Sequence, residues 1–185
     1  MLTHCADHMD ALSEHFYRRG DLEGVAHIRQ ITDAIRAKAV THRRYHRELP
    51  SLQGKTIPIS MDEWNYWYHP YVYGELGCRY SLKDALGIAA GLHEYARQSD
   101  IMLMANYAQT VNVIGCIKTT KTDAFFATTG LPLMLYRKHF GEIPLGVEAM
   151  LGLDVAAALT ESGQSLTLGV VNPGDAPVTV ELTID

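Results

Sequence analysis

"SLKDALGIAAGLHEYARQSDIMLMAN", residues Ser81–Asn106, reads as a helix followed at once by a buried strand. Ser81 with Asp84 three residues later is a helix start signal, and Leu82, Ala85, Leu86, Ala89, Ala90, His93 and Ala96 fall on one helical face as far as about Gln98. Asp100–Asn106 is then an almost continuously apolar run of strand length, the pattern of a parallel strand covered on both faces. Helices alternating with such strands build an α/β sheet.

Upstream, the same unit recurs. Met9–Tyr17 carries Met9, Ala11 and Phe16 in an imperfect strand pattern, closed by Arg18, Arg19 and Gly20. From Asp21, a candidate cap, to about Glu48, the apolar residues Val25, Ile28, Ile31, Ile35 and Ala39 recur at helical spacing. Glu23 and Asp33 come early in that helix and Arg36, Lys38, Arg43, Arg44 and Arg47 late, which suits its dipole. Pro50, Ser51 and Gly54 break the chain, and Lys55–Trp64 supplies a second strand through Ile57, Ile59 and Met61, with Pro58 out of place in a ladder. An aromatic loop leads to Ser81.

Downstream, Gly115–Asp123 reads as loop and Leu131–Phe140 as a helix with Pro132 in its first turn. After Gly141 the pattern changes to short strands at Leu153–Leu159, Leu166–Val171 and Val178–Ile184, separated by "ESGQS" and "NPGDAP". The expected architecture is α/β then β. Residues 1–142 would give three β/α units of a (β/α)8 TIM barrel or of a doubly wound sheet, and residues 143–185 an incomplete antiparallel β-sandwich. Three units are fewer than either parallel fold requires, so a C-terminal piece of a longer polypeptide is expected.

The composition narrows the function. With 185 residues, 47% hydrophobic and 20% charged, the chain is an ordinary globule that can bury a core. A formal net charge of -5 leaves no positive excess for nucleic acid or an anionic membrane. Cys5, Cys78 and Cys116 lie far apart without a CxxC pair, which argues for a reducing, cytoplasmic setting and against a zinc ribbon. Neither a signal peptide nor a run long enough to span a membrane is present.

The densest chemistry lies in "SMDEWNYWYHPYVYGE", Ser60–Glu75, where a carboxylate pair at the C-terminal end of a strand precedes two Trp, four Tyr, an Asn and a His. Parallel α/β folds place reactive groups at that end. Strand alternation predicts that Asp62 and Glu63 point to opposite faces, one into a site and one into packing. A carboxylate beside aromatic rings suits a sugar, whose apolar faces stack on the rings while the carboxylate attacks or stabilises the anomeric centre. The composition fits a packed aromatic loop equally well.

Four stretches, "ALSEHFY" (Ala11–Tyr17), "DEWNYWYHP" (Asp62–Pro70), "SLKDAL" (Ser81–Leu86) and "MANYAQTVNVI" (Met104–Ile114), resemble in order and spacing the α-L-arabinofuranosidases of glycoside hydrolase family 51. The resemblance covers nearly the whole chain and implies the last three units of a catalytic barrel and the start of a β-sandwich. It further implies a retaining, exo-acting enzyme on arabinofuranosides, without metal or organic cofactor, in a family whose members are commonly homo-oligomers. Glu63 matches the nucleophile, Tyr17 a tyrosine that steadies it, Trp67 a tryptophan on the leaving-group side, and Gln109 a ligand of sugar hydroxyls.

Retention requires a second carboxyl group about 5–5.5 Å from the nucleophile. The Asn-Glu motif that supplies it in the family does not occur here, and Glu14 and Glu75 are poor substitutes, so the piece alone is expected to be inactive. A non-catalytic sugar-binding or structural protein, or a glycosidase of the same clan with another substrate, remains open. His4, Asp7 and His8, and separately His42 and His46, have the spacing of metal ligands but lack an evident third partner, so no metal site is expected. His15 and His69 flank the expected site, and packing is the default for Cys78 and Cys116.

Overall fold

The computed structural model describes residues 1–68, 77–148 and 152–184. Its order is α1 (Leu2–Cys5), β1 (Leu12–Arg18), α2 (Gly24–Glu48), β2 (Ile59–Tyr66), α3 (Leu82–Arg97), β3 (Met102–Tyr107), β4 (Ile117–Thr119), β5 (Ala124–Phe126), α4 (Gly130–His139), β6 (Ile143–Leu145), β7 (Asp154–Leu159) and β8 (Leu166–Val171). Strands β1, β2 and β3 form a parallel sheet in sequence order. The two long helices lie against one face of it, burying Ile31 and Ile35 of α2 and Ile88 of α3 together with Ile59, Met61, Trp64 and Tyr66 of β2.

Close approach between α3 and β2 depends on two glycines. A Cβ at Gly91 would stand 2.8 Å from Ile31 Cγ2 and 2.9 Å from the Trp64 ring, and one at Gly87 would overlap the Tyr66 hydroxyl. Trp64 and Tyr66 therefore nest against the helix backbone, where Trp64 also meets Tyr95 edge-on at 5.0 Å. The start of α3 is fixed by the expected capping box of Ser81 and Asp84. Buried Asp84 accepts further bonds from His27 Nε2 (2.9 Å) on α2 and the Tyr68 hydroxyl (2.9 Å), tying both helices to the loop after β2. Burial pushes the Asp84 carboxyl up, but the bonds from His27, the Ser81 amide and Tyr68 outweigh it and hold it below the ordinary range.

A second sheet, ordered β6-β7-β8 and antiparallel, rests on α3. The joint is polar. Asp154 of β7 accepts from His93 Nδ1 (2.6 Å) and from Arg97 (2.7 Å), while the Tyr136 hydroxyl of α4 meets His93 Nε2. Buried Glu94 is held between Arg36 (2.8 Å) and Arg97 (3.0 Å).

Several expectations change. Helix α2 starts at Gly24, not Asp21, and no side chain caps it. Pro58 lies just outside β2, where its carbonyl accepts the Leu12 amide (2.9 Å) and its missing N–H costs no ladder bond. The stretch 115–123, expected as loop, contains β4, which pairs with β5 in a short antiparallel hairpin. Val178–Ile184, expected as the third strand of the meander, joins no ladder; the third strand of the sheet is Ile143–Leu145, paired with β7 on the edge away from β8. Alternation marks a strand-like surface but does not choose its partner, and Pro144 sits in β6 because β6 is an edge.

Two substitutions test this packing. Gly87→Ala improves helix propensity by about 1 kcal/mol but drives a methyl group into Tyr66, so a net loss of about 1–2 kcal/mol in equilibrium urea unfolding is expected. For Asp84, whose folded pKa lies below its unfolded value near about 3.9, the stabilisation is complete above about pH 5 and is lost as pH falls through the folded value. The stability gap between the wild type and Asp84→Asn in thermal unfolding should therefore be wide at pH 7 and narrow towards pH 3. A gap independent of pH would contradict the assignment.

Candidate functional site

The register between β1 and β2 places the carboxylates. Glu14 pairs with Met61 and His15 with Glu63, so Asp62 is the extra residue of a β-bulge. Met61 and Trp64 on either side are buried under the helices, whereas Asp62 and Glu63 are both exposed. Ser13 Oγ donates to Asp62 (2.5 Å) and the Tyr17 hydroxyl donates to Glu63. Ser13 and Tyr17 lie four residues apart on β1, hence on one face. The expectation that Asp62 and Glu63 face opposite ways is thus overturned, because the bulge interrupts the alternation that it assumed.

The bond from Tyr17 fixes its chemistry. Burial, then the hydrogen bond to Glu63 and the charges of Glu63 and Asp62, push the phenol far above its ordinary value, so it stays a proton donor across the physiological range. Trp67 follows the end of β2, with its backbone N–H on Arg18 O (2.7 Å) and its ring edge-on to Tyr17 at 5.1 Å. The residue is 43% exposed, and a cavity of about 530 Å³ beside it is lined by Arg19, Gly20, Asp21, Trp67 and Tyr68. Tyr17, Glu63 and Trp67 therefore form one connected group. Gln109 is exposed on the loop after β3, at the same end of the sheet, where the Ala108 amide donates to Trp64 O (3.3 Å).

Other candidates separate from this group. Glu14 is ion-paired with Lys38 of α2, away from the Glu63 face. His15 is exposed beside Glu63 in register, while His69 and Glu75 lie outside the described residues. His42 and His46 both direct Nε2 at Ile57 O (2.8 and 3.0 Å), and Asp7 is paired with Lys55 (2.6 Å). Among the described residues no group of three or more His, Cys, Asp and Glu could hold a metal ion. Cys78 donates to Tyr68 O (2.9 Å), and burial pushes its thiol and that of Cys116 up, away from nucleophilic character.

Sequence reasoning gave no role to Asn65. Its side chain is fully buried, and Nδ2 lies within hydrogen-bond distance of Ala108 O (2.6 Å), Ile114 O (2.7 Å) and the Tyr80 hydroxyl (3.0 Å). An amide inside the apolar run "EWNYW" was the available signal, since a buried Asn must find partners.

Known proteins resemble this chain over most of its length. A probable α-L-arabinofuranosidase C of Aspergillus flavus is 36% identical over 82% of the chain and 34% of its own length. The intracellular exo-α-(1→5)-L-arabinofuranosidase 1 of Bacillus subtilis is 27% identical over all of the chain and 42% of its own length. The chain thus spans well under half of these relatives. Among solved structures, the α-L-arabinofuranosidase of Thermotoga maritima, in complex with arabinose, superposes with a TM-score of 0.78 at 26% identity over 92% of the chain and 39% of that protein. The glycoside hydrolase family 51 α-L-arabinofuranosidase of Thermotoga petrophila superposes with a TM-score of 0.77 over 92% of the chain and 40% of that protein. Residues 62–183 match the α-L-arabinofuranosidase C-terminal domain, and the chain accordingly belongs to the α-L-arabinofuranosidases of glycoside hydrolase family 51.

Proposed function

We propose that this chain carries the nucleophile half of a retaining, exo-acting α-L-arabinofuranosidase that releases terminal arabinofuranosyl groups from arabinose-containing oligosaccharides or polysaccharides. The observation that carries the reading is the exposed Glu63 carboxylate, held by the hydroxyl of Tyr17, whose ring meets that of Trp67 edge-on. A Glu63 oxygen attacks the anomeric carbon as the glycosidic bond breaks, and the leaving oxygen takes a proton from a carboxylic acid. Water then attacks the glycosyl-enzyme, giving its proton to the same acid/base and freeing Glu63. Trp67 receives the leaving-group sugar and Gln109 the hydroxyls of the arabinofuranose.

Strands in the order β1-β2-β3 with both connecting helices on one face suit part of a (β/α)8 barrel, with residues 1–142 as barrel and 143–185 as the start of a β-sandwich. With Glu14 bound to Lys38, the acid/base is assigned to barrel strands beyond this segment, so the segment alone has no turnover. Among the described residues no helix is long and apolar enough to cross a membrane. A cytoplasmic setting is supported by the three free cysteines and by the intracellular Bacillus relative.

The test is to join the segment to the preceding barrel units of a family relative and assay a panel of aryl glycosides. Turnover should be confined to the α-L-arabinofuranoside, and Glu63→Gln should lower kcat at least about a thousandfold with the fold intact by circular dichroism. A hydrogen bond to a charged group is worth about 1.5–3 kcal/mol, so Tyr17→Phe should lower kcat/KM about ten- to a hundredfold. Full turnover by Glu63→Gln, or preference for another glycoside, refutes the reading.

A further inference from the structure

The loop that carries Gln109 is under backbone strain. Asn112 and Val113 have φ of 53° and 44°, the left-handed region, where a β-branched residue such as Val is a genuine outlier. Such conformations persist only when the surroundings over-determine them. Val113 O accepts from the Cys78 amide (2.8 Å) and from Lys118 Nζ (3.0 Å), and Gly77 approaches so closely that a Cβ there would overlap the Val113 backbone. The Asn112 side chain bonds Thr119 through both its oxygen (2.9 Å to the amide) and its nitrogen (3.0 Å to Oγ1).

Both ends of this strained turn converge on one side chain. Asn65 Nδ2 has two protons, and its two shortest contacts are Ala108 O (2.6 Å), immediately before Gln109, and Ile114 O (2.7 Å), immediately after Val113. Its Oδ1 accepts the Tyr66 amide (2.7 Å), which fixes the orientation of the side-chain amide, and the Tyr80 hydroxyl closes the far side by donating to Tyr66 O (2.7 Å). Asn65 stands two residues after Glu63 on the same strand, just beyond the bulge. One buried amide thus ties the strand that presents the carboxylate to the loop that presents Gln109.

We propose that Asn65 is a positioning residue, which sets where Gln109 stands relative to Glu63 by clamping residues 108 and 114. The proposal rests on the reading of Gln109 as a sugar ligand. Asn65→Asp keeps the volume and the acceptor for Tyr66 but turns an acceptor towards two carbonyl oxygens; Asn65→Ser removes the clamp with less electrostatic cost.

The experiment is a double-mutant cycle in the barrel-completed enzyme. Gln109→Ala and Asn65→Ser should each lower kcat/KM at least about tenfold, and the double variant should fall no more than about twofold below Gln109→Ala alone, because both changes remove the same contact. Asn65→Asp provides the same test if the serine variant does not fold. Amide hydrogen exchange across residues 109–116 should accelerate in the Asn65 variants while β1 stays protected. Losses that multiply, or an Asn65 variant that lowers the melting temperature without changing kcat/KM, overturn the positioning role while Glu63→Gln remains inactive. Turnover by Glu63→Gln would instead remove the reading beneath it, and the proposal with it.

Discussion

Everything at the site depends on how closely α3 approaches β2. With hydrogen atoms at positions 87 and 91, the rings of Tyr66 and Trp64 lie in the helix surface, and β2 can rotate in only one sense. That rotation commits Met61, Trp64 and Tyr66 to the helices and leaves Asp62 and Glu63 for the other face. The bulge then does what a regular strand cannot, giving two successive carboxylates to one surface. Burial of large aromatics is therefore the cause, and presentation of the acid groups the effect.

Two hydroxyls from β1 complete the arrangement, Ser13 for Asp62 and Tyr17 for Glu63. Each carboxylate is thereby oriented by a neutral donor, with no cation paired to it among the described residues. The cations nearby are engaged elsewhere, Lys38 with Glu14 and Arg18 with the carbonyls of Tyr17 and Gln30. Residues at the strand ends are held chiefly through backbone carbonyls, as Asn65, Tyr80 and Lys118 illustrate.

Much of this was legible in the sequence wherever periodicity or a short motif carries the information. Helices α2, α3 and α4, strands β1–β3, and β7 and β8 follow from spacing, and Ser81 with Asp84 marked the cap to the residue. Tyr17, Glu63 and Trp67, named through the resemblance, lie in one chain of contacts. What spacing cannot express is a break in its own rule. The extra residue at Asp62 has no signature in composition, and it defeated the inference from alternation. Partner choice is equally invisible: alternation singles out Val178–Ile184, whereas the strand that joins the sheet is Ile143–Leu145, paired with β7. Asn65 has no motif, and His93 shows in the sequence only as part of a helical face, because the role of a polar residue inside an apolar pattern lies in its partners.

Helix α3 is gripped in two unlike ways. Towards the parallel sheet it is held by apolar contact around Gly87, Ile88 and Gly91. Towards the antiparallel sheet it is held by Arg97 and Asp154, both partly open to water. Charges in that setting are screened within a Debye length of about 10 Å at 0.1 M salt and about 3 Å at 1 M. The Arg97–Asp154 contact at 2.7 Å is shorter than either length and Asp154 also holds the buried His93, so salt weakens this seam little and both grips persist from dilute buffer to brine.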